Sequence, residues 1–163
     1  MTILTWLLVV PPPRPGLPWR EIIIGTLTYA LMILYYRISD EFKDADTDQK
    51  FFPERPVPSG RVSLGDLQIL RTVATFLCLA LAFLTPQSIA PFIAYWLFAW
   101  LMGKWFFLPK LIGENRILAF VTHSPVGIFA SFYLLSLFLP FGAKLVTPWA
   151  LGVVLVINIP GLV

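Results

Sequence analysis

Long apolar runs alternate with short polar segments along this chain, and the pattern predicts its helices. About 20 apolar residues are enough to cross a bilayer core of about 30 Å as an α-helix. Residues 1–10 are apolar but too short to cross, and the five prolines between positions 11 and 18 interrupt any helix that begins there. This end fits either a truncated span or a short interfacial segment. We predict five spans, at residues 19–36, 67–84, 91–109, 117–139 and 148–163.

The longest polar segment, residues 37–66, is predicted to be a loop after the first span. Cytoplasmic loops carry an excess of Lys and Arg. Residues 37–66 and 110–116 hold seven cations, against three on the opposite side. We therefore expect an integral protein of the plasma (inner) membrane, with this acidic loop in the cytoplasm. The last run ends within apolar sequence, so we expect the sequence to be cut off there.

Composition agrees with the span pattern. The chain is 58% hydrophobic and 13% charged, whereas a soluble domain carries about 25% charged residues. A net charge of +3 is too small to indicate a nucleic-acid partner. The lone Cys78 lies in an apolar run, which is typical of a buried thiol. The predicted fold class is an all-α, polytopic transmembrane helix bundle that forms a single membrane domain over residues 1–163.

Carboxylates are concentrated just after the first span. Asp40, Asp44 and Asp48 are spaced by four, so a helix that continued from the span would place them on one face. Neighbouring carboxylates would lie about 5–6 Å apart, and each such pair costs about 0.7 kcal/mol even in water. Mg²⁺ would offset this repulsion, because it binds oxygen ligands and is commonly shared between carboxylates and phosphates. The alternative is a solvated loop with Lys43 and Lys50 as counterions.

The residues that follow favour a phosphate site. Residues 50–61 read Lys-Phe-Phe-Pro-Glu-Arg-Pro-Val-Pro-Ser-Gly-Arg, in which three prolines stiffen a loop that carries Arg55 and Arg61. Arginine can grip phosphate oxygens with two parallel hydrogen bonds. A rigid basic loop beside a row of aspartates is suited to a metal-bound diphosphate.

The combined pattern of Asp40-x-x-x-Asp44-x-x-x-Asp48 and Arg55-Pro-Val-Pro-Ser-Gly60 resembles the first aspartate-rich motif of the UbiA superfamily of intramembrane prenyltransferases. In that family the motif also follows a transmembrane helix, but it begins with Asn where this chain has Asp40. The family has a second aspartate-rich motif, whereas the only carboxylate after Asp66 here is Glu114. The resemblance covers about the first half of a nine-helix fold, so a complete active site is not expected in this chain.

The resemblance implies Mg²⁺-dependent transfer of a prenyl group from an isoprenyl diphosphate to a small, often aromatic, acceptor within the membrane. Carried over by position, Asp44 and Asp48 would be metal ligands, and Asp40 would replace the Asn. These three aspartates are the predicted catalytic residues. Glu41 is a plausible auxiliary metal ligand, Arg55 would lie beside the diphosphate, and Lys50 is a weaker candidate for a phosphate contact.

Two single residues could belong to the site. Lys104 lies within the third predicted span, where it could face the diphosphate or extend to the cytoplasmic interface. His123 is the only histidine and precedes Pro125. With no second His or Cys nearby, we expect a helix break there rather than a metal site, with hydroxyl groups of Thr122 or Ser124 bonding the freed carbonyls.

Two other functions are compatible with parts of the sequence. A non-catalytic or truncated membrane protein could keep the fold and bind lipid diphosphates. A CDP-alcohol phosphotransferase also has spaced aspartates, but it needs Asp-Gly and Ala-Arg pairs that are absent from residues 40–48. Prenyl chain length, acceptor identity and oligomeric state are not determined by this sequence.

Overall fold

The computed structural model describes residues 2–9, 16–139, 144 and 147–158, and within these residues the fold is all-α. This confirms the predicted fold class. Two short 3₁₀ turns, Pro86–Ser88 and Trp105–Phe107, lie on either side of the fourth helix. The α-helices are α1 (Thr2–Val9), α2 (Trp19–Phe51), α3 (Leu64–Phe83), α4 (Ile89–Gly103), α5 (Pro109–Gly113), α6 (Arg116–His123), α7 (Val126–Leu137) and α8 (Pro148–Asn158).

Three stretches of the described chain are long and apolar enough to cross a membrane. They are α2, α3 and the segment Arg116–Leu137, which consists of α6, α7 and the two residues between them. The predicted third span corresponds to α4, whose 15 residues reach only about 22 Å. The predicted fifth span corresponds to α8 up to Asn158, and residues 159–163 lie outside the described residues. Three crossings therefore meet the length requirement within the described ranges.

Helix α2 continues far beyond its apolar part. Residues 37–51, predicted to begin a polar loop, are helical and extend the helix to 33 residues in all. The α conformation is disfavoured for a residue that precedes proline. Helix α2 ends at Phe51 because Phe52 precedes Pro53 and is not helical, at φ −138° and ψ 57°. The polar character of this segment reflects contact with water, and its backbone is that of a helix.

Helix α3 returns along α2 after the loop of residues 52–63, which we call the proline loop. It begins with a reciprocal cap in which the Ser63 hydroxyl accepts from the backbone N–H of Asp66, and the Asp66 carboxylate accepts from the backbone N–H of Ser63. The residues that α3 buries are small: Ala74, Cys78 and Ala82. Cys78 is a buried free thiol, as predicted.

An aromatic cluster forms the core between α2, α4 and α7. The Tyr95 and Tyr133 rings stack with centroids 6.2 Å apart, and Phe92 meets Tyr133 edge to face at 5.7 Å. Tyr36 of α2 joins the cluster through an edge contact with Tyr95 at 6.2 Å. Such ring pairs add about 0.5–1.5 kcal/mol beyond the burial of their area. The core therefore fixes the rotation of α2 about its axis and hence the direction that its polar extension faces.

The boundary between α6 and α7 has the predicted break at Pro125. The Ser124 hydroxyl donates to the carbonyl of Phe120 at 2.7 Å, and the Thr122 hydroxyl donates to the carbonyl of Leu118 at 2.7 Å. Both carbonyls lie in the turn before the proline, whereas the carbonyl that Pro125 leaves without a helical N–H donor is that of Val121. The helix break is where it was predicted, but the expected role of Thr122 and Ser124 is not seen, because neither hydroxyl bonds the freed carbonyl.

Candidate active site

The extension of α2 carries the acidic row, which is Asp40, Asp44 and Asp48. One α-helix holds all three, so their spacing by four places them on one face. Asp48 is buried at 4% exposure, whereas Asp44 is exposed. The row therefore passes from a buried carboxylate under the proline loop to an open one beside it.

Arg55 folds back from the proline loop onto the acidic row. Its Nη1 donates to both carboxylate oxygens of Asp48, at 2.7 and 2.8 Å. The guanidinium also lies over the Phe52 ring, 4.4 Å from the centroid. The hydrogen bond to Asp48 raises the pKa of Arg55 above its usual value. The proline loop thus places the positively charged side chain of Arg55 against Asp48, at the buried end of the row.

The proline loop is braced by its second arginine. Arg61 donates from Nη2 to the Glu54 carbonyl at 2.6 Å and from Nε to the Ser59 hydroxyl at 3.0 Å. Gly60 has φ +77°, a left-handed conformation that glycine adopts without a steric penalty. Arg61 therefore fixes the shape of the loop, while Arg55 contacts the row.

Asp44 occupies the electrostatic centre of the row, on the part of α2 beyond its apolar residues. Partial desolvation raises the pKa of the Asp44 carboxyl, the charges of Asp40 and Asp48 raise it further, and Lys43 and Arg55 partly oppose the increase. No ion pair engages Asp44 among the described residues. Negative charge therefore accumulates at Asp44, where a cation would relieve it.

At the other end of the row, Lys43 joins Asp40 to the helix α6. Its ammonium lies 3.3 Å from Asp40 Oδ1, 3.4 Å from His123 Nε2 and 4.5 Å from the centroid of the Trp105 ring. His123 Nδ1 is 2.9 Å from the carbonyl of Ala119, which can only accept a hydrogen bond. His123 Nδ1 is therefore the donor and Nε2 the acceptor of the Lys43 proton.

A left-handed turn brings Trp105 to this cluster. Trp105, Phe106 and Phe107 all have positive φ, at 51°, 50° and 61°. This conformation costs about 1–2 kcal/mol per residue for side chains other than glycine. The Trp105 and Phe106 rings meet the His123 ring edge to face, with centroids 5.3 and 6.0 Å away. The strained turn thus forms an aromatic wall around Lys43 and His123.

A sequence model of the UbiA prenyltransferase family matches residues 1–108. The match covers about two thirds of the chain and includes the whole acidic row and the proline loop. The chain belongs to the UbiA prenyltransferase family. No curated protein and no solved structure matches the chain. Family membership places this UbiA protein among prenyltransferases that work in membranes, act on isoprenyl diphosphates and aromatic acceptors, and generally use Mg²⁺ through aspartate-rich motifs.

The remaining predicted site residues lie around the row with different partners. Glu41 pairs with Arg37 at 2.8 Å on the side of α2. Lys50 is exposed, with its ammonium 5.1 Å from the centroid of the Phe51 ring. Lys104 was expected inside the third span, but α4 ends at Gly103 and Lys104 is an exposed residue at its C-terminal cap. Among the described residues neither lysine makes an ion pair with the row.

Mg²⁺ fits this donor set only as a bridge to a ligand. The carboxylate oxygens of the row are hard donors of the kind that Mg²⁺ takes. No group of three His, Cys, Asp or Glu residues in the described part of the chain is arranged to hold a metal ion alone. Mg²⁺ usually needs only one or two carboxylates when substrate phosphates supply other ligands. The accumulation of negative charge at Asp44 agrees with this bridging arrangement.

Sequence reasoning missed the contact between Lys43 and His123. The sequence marked Lys43 only as a counterion and His123 only as part of a helix break. Their spacing gives no signal, because 80 positions separate them. The contact also links the family-matched region to α6, which lies beyond residue 108.

Proposed function

We propose that this UbiA protein transfers a prenyl group from an isoprenyl diphosphate to a small acceptor in a Mg²⁺-dependent reaction within the membrane. The observation that carries the proposal is the acidic row at the end of a membrane helix, with Arg55 folded onto Asp48 at 2.7 Å. A row of carboxylates beside an arginine side chain provides both kinds of group that a metal diphosphate needs. Family membership supplies the reaction class.

Asp44 and Asp48 are the proposed principal metal ligands, with Asp40 in third place and Glu41 as an auxiliary ligand. Bound Mg²⁺ would neutralise charge on the diphosphate and so make it a better leaving group. Asp44 is the ligand most ready to bind, because it is exposed and has no ion pair among the described residues. Asp48 becomes available when Arg55 moves from its carboxylate to the diphosphate oxygens.

Arg55 can make this exchange without leaving the site. Its side chain is 44% exposed although its partner is buried, so the free edge of the guanidinium faces solvent. Phosphate offers oxygen acceptors in a geometry that matches the arginine fork. Lys50 and Lys104 are proposed as further phosphate contacts, since both are exposed and have no carboxylate partner in the described ranges.

The proposed reaction is a substitution at the first carbon of the prenyl chain. The bond between this carbon and the diphosphate oxygen breaks, and its electron pair leaves with the diphosphate. A new bond forms from a nucleophilic atom of the acceptor to the same carbon, and the acceptor loses one proton to water or to a base. Arg55 and the acidic row bind the leaving group, and the apolar part of the bundle receives the prenyl chain.

We further propose that the acidic row faces the cytoplasm of a plasma membrane. The excess of cations in residues 37–66 and 110–116 supports this orientation. Isoprenyl diphosphates are charged at one end and apolar at the other. A row that begins about 6 Å and ends about 18 Å beyond residue 36 of α2 suits their charged end.

The charge distribution also favours a second candidate function, which is binding without turnover. After Asp66 the only carboxylate in these 163 residues is Glu114, so they contain no second aspartate row. A chain with one row could hold a lipid diphosphate without completing the transfer. Binding and turnover therefore need separate measurements.

The test uses the protein in nanodiscs with radiolabelled geranyl and farnesyl diphosphates. We expect binding that requires Mg²⁺, is lost on chelation, and falls about 100-fold or more in Asp44→Asn. Asp46→Asn is the matched control, because Asp46 is exposed, lies off the row and has no ion pair among the described residues. Binding that ignores Mg²⁺, or falls equally in both variants, would overturn the proposal. Release of diphosphate on adding 4-hydroxybenzoate would distinguish transfer from binding alone.

A further inference from the structure

A stripe of polar side chains runs along α3 at the edge of the face that packs against α2. The four residues Gln68, Arg71, Thr72 and Thr75 follow the spacing of one helix face. The residues that α3 buries, including Ala74 and Cys78, lie beside the stripe on the adjoining part of the helix surface. Polar and charged side chains within a membrane helix are costly and commonly mark a functional surface. The stripe therefore requires an explanation beyond helix packing.

The polar stripe forms one wall of a groove between α2, α3 and α4. Tyr35 of α2 lies at its base, and Trp96 and Trp100 of α4 form the facing wall. The groove has a volume of about 280 Å³. One wall is thus cationic and hydrogen-bonding while the other is aromatic, which fits a molecule with an anionic head and an apolar tail.

Arg71 is the charged residue among those that line this groove. It has no carboxylate partner among the described residues. Its guanidinium lies 4.5 Å from the centroid of the Phe42 ring and 5.9 Å from that of Tyr35. Gln68 accepts a hydrogen bond from Arg71 Nη2, and its amide nitrogen lies 3.3 Å from the Thr72 hydroxyl. The two rings and the Gln68 side chain therefore hold Arg71 in place. No carboxylate of the described residues neutralises its charge.

The facing wall also has an unmatched polar atom. Nε1 of Trp96 is buried without a hydrogen-bond partner in the part of the chain that the structure describes. An indole N–H normally finds a partner when it is buried. This N–H is an unsatisfied donor within the aromatic wall, and its burial keeps it from contacting a ligand in the groove.

Arg71 lies near the N-terminal end of α3. Arg71 lies seven residues after Leu64, the first residue of α3, which is about 10 Å along the helix. Helical side chains lean toward the N-terminus, so a lipid headgroup at that end of α3 would be within reach of the guanidinium. Phe76 and Trp100 are exposed beside the groove, as expected for a surface that meets acyl chains.

We propose that this groove binds a membrane phospholipid with an anionic headgroup. The headgroup phosphate accepts hydrogen bonds from Arg71, with Gln68 and Thr72 beside it, and an acyl chain lies against Trp96 and Trp100. The site is separate from the acidic row, and it does not depend on the proposed transfer reaction. A lipid that joins α3 to α4 would hold together two helices that contact each other little directly.

The test compares lipids by native mass spectrometry of the delipidated protein. We expect phosphatidylglycerol to bind about fivefold more tightly than phosphatidylcholine, as for one basic residue at the headgroup level. The preference should vanish in Arg71→Gln and persist in Arg116→Gln, because Arg116 is an exposed interfacial arginine outside the groove. An equal loss in both variants, or no preference in the unmodified chain, would overturn the site.

Two further measurements guard against misfolding and against a soluble ligand. Thr72→Val keeps size and Arg71 but removes a hydroxyl, and it should reduce the preference while the helix content stays unchanged. Phosphatidylglycerol with brominated acyl chains should quench tryptophan fluorescence less in Trp100→Phe than in Trp149→Phe, since Trp149 lies on α8. If glycerol phosphate competes as well as the lipid does, the site takes a soluble anion and the lipid assignment fails.

Discussion

Lys43 Nζ lies 3.4 Å from Nε2 of His123, although 80 positions separate the two residues. The lysine side chain is only 8% exposed, and its charge is shared with Asp40 and the Trp105 ring. This contact connects the acidic row on α2 to the end of α6. The family-matched part of the chain is thereby joined to a helix outside the match.

We predict a favourable coupling between Lys43 and His123 in a double-mutant cycle. Lys43→Met and His123→Phe keep the chain length and the ring while they remove the hydrogen bond, so the cycle should give about 0.5–1.5 kcal/mol. The measurement is the free energy of unfolding in detergent by SDS titration. A second cycle with Lys110→Met should give no coupling, because Lys110 is exposed and makes no hydrogen bond or ion pair with His123 among the described residues. Equal coupling in both cycles would contradict the contact.

Arg55 and Arg61 should affect catalysis differently although they share one loop. Arg55→Gln removes the guanidinium that bonds Asp48, and we expect KM for the prenyl diphosphate to rise about 10- to 100-fold. Arg61→Gln alters only bonds within the loop, to Glu54 and Ser59, and should change KM by less than about threefold. Steady-state kinetics on both variants check this prediction, and a larger effect of Arg61→Gln would contradict it.

The ionised Asp44 carboxylate should destabilise the folded protein at neutral pH when no divalent cation is present. Its pKa is raised in the folded protein, so protonation stabilises the fold, and this stabilisation is lost as the pH rises through the raised pKa. Asp44→Asn should therefore melt at a higher temperature than the unmodified protein at pH 7.5 in EDTA. The difference should shrink as the pH falls through the raised pKa toward the ordinary value.

The same melting series needs a control for charge alone. Asp46→Asn also removes one carboxylate from the α2 extension, but it lies off the row. We expect a smaller, nearly pH-independent shift for this variant. A pH dependence as large as that of Asp44→Asn would show that the effect arises from net charge rather than from the row.

In the left-handed turn after α4, the difference in stability between a glycine and an alanine variant should have the opposite sign to that in a helix. Phe107 is 65% exposed at φ 61°, so Phe107→Gly should be more stable than Phe107→Ala by about 1 kcal/mol. Ile69 is 64% exposed within α3, and there Ile69→Gly should be less stable than Ile69→Ala by about 1 kcal/mol. Unfolding free energies of the four variants check both signs. A more stable alanine at position 107 would contradict the turn.

The sequence by itself determined the class of fold and the position of the acidic row. Apolar runs of span length require helices in a membrane, since backbone groups must be bonded within the segment. Spacing by four places Asp40, Asp44 and Asp48 on one face of any helix that contains them. The family resemblance, drawn from this row and the Arg55 loop, was confirmed by the family match.

The end of helix α2 within the polar segment was harder to predict from the sequence. Charge density indicated a loop from residue 37, whereas the helix continues to Phe51. Polarity reports contact with water, and a helix that leaves the membrane can be as polar as a loop. Only Pro53, which disfavours helix at the residue before it, gave a local signal for the end of α2.

Tertiary structure alone decided which partners the charged residues take. Arg55 reaches Asp48 because the proline loop folds back, and Lys43 reaches His123 because a left-handed turn and α6 close around it. The groove at Arg71 depends on how α3 and α4 diverge around α2. Helix periodicity is set by neighbours a few positions apart, whereas these contacts depend on helix rotation and depth, which the packing of the whole core fixes.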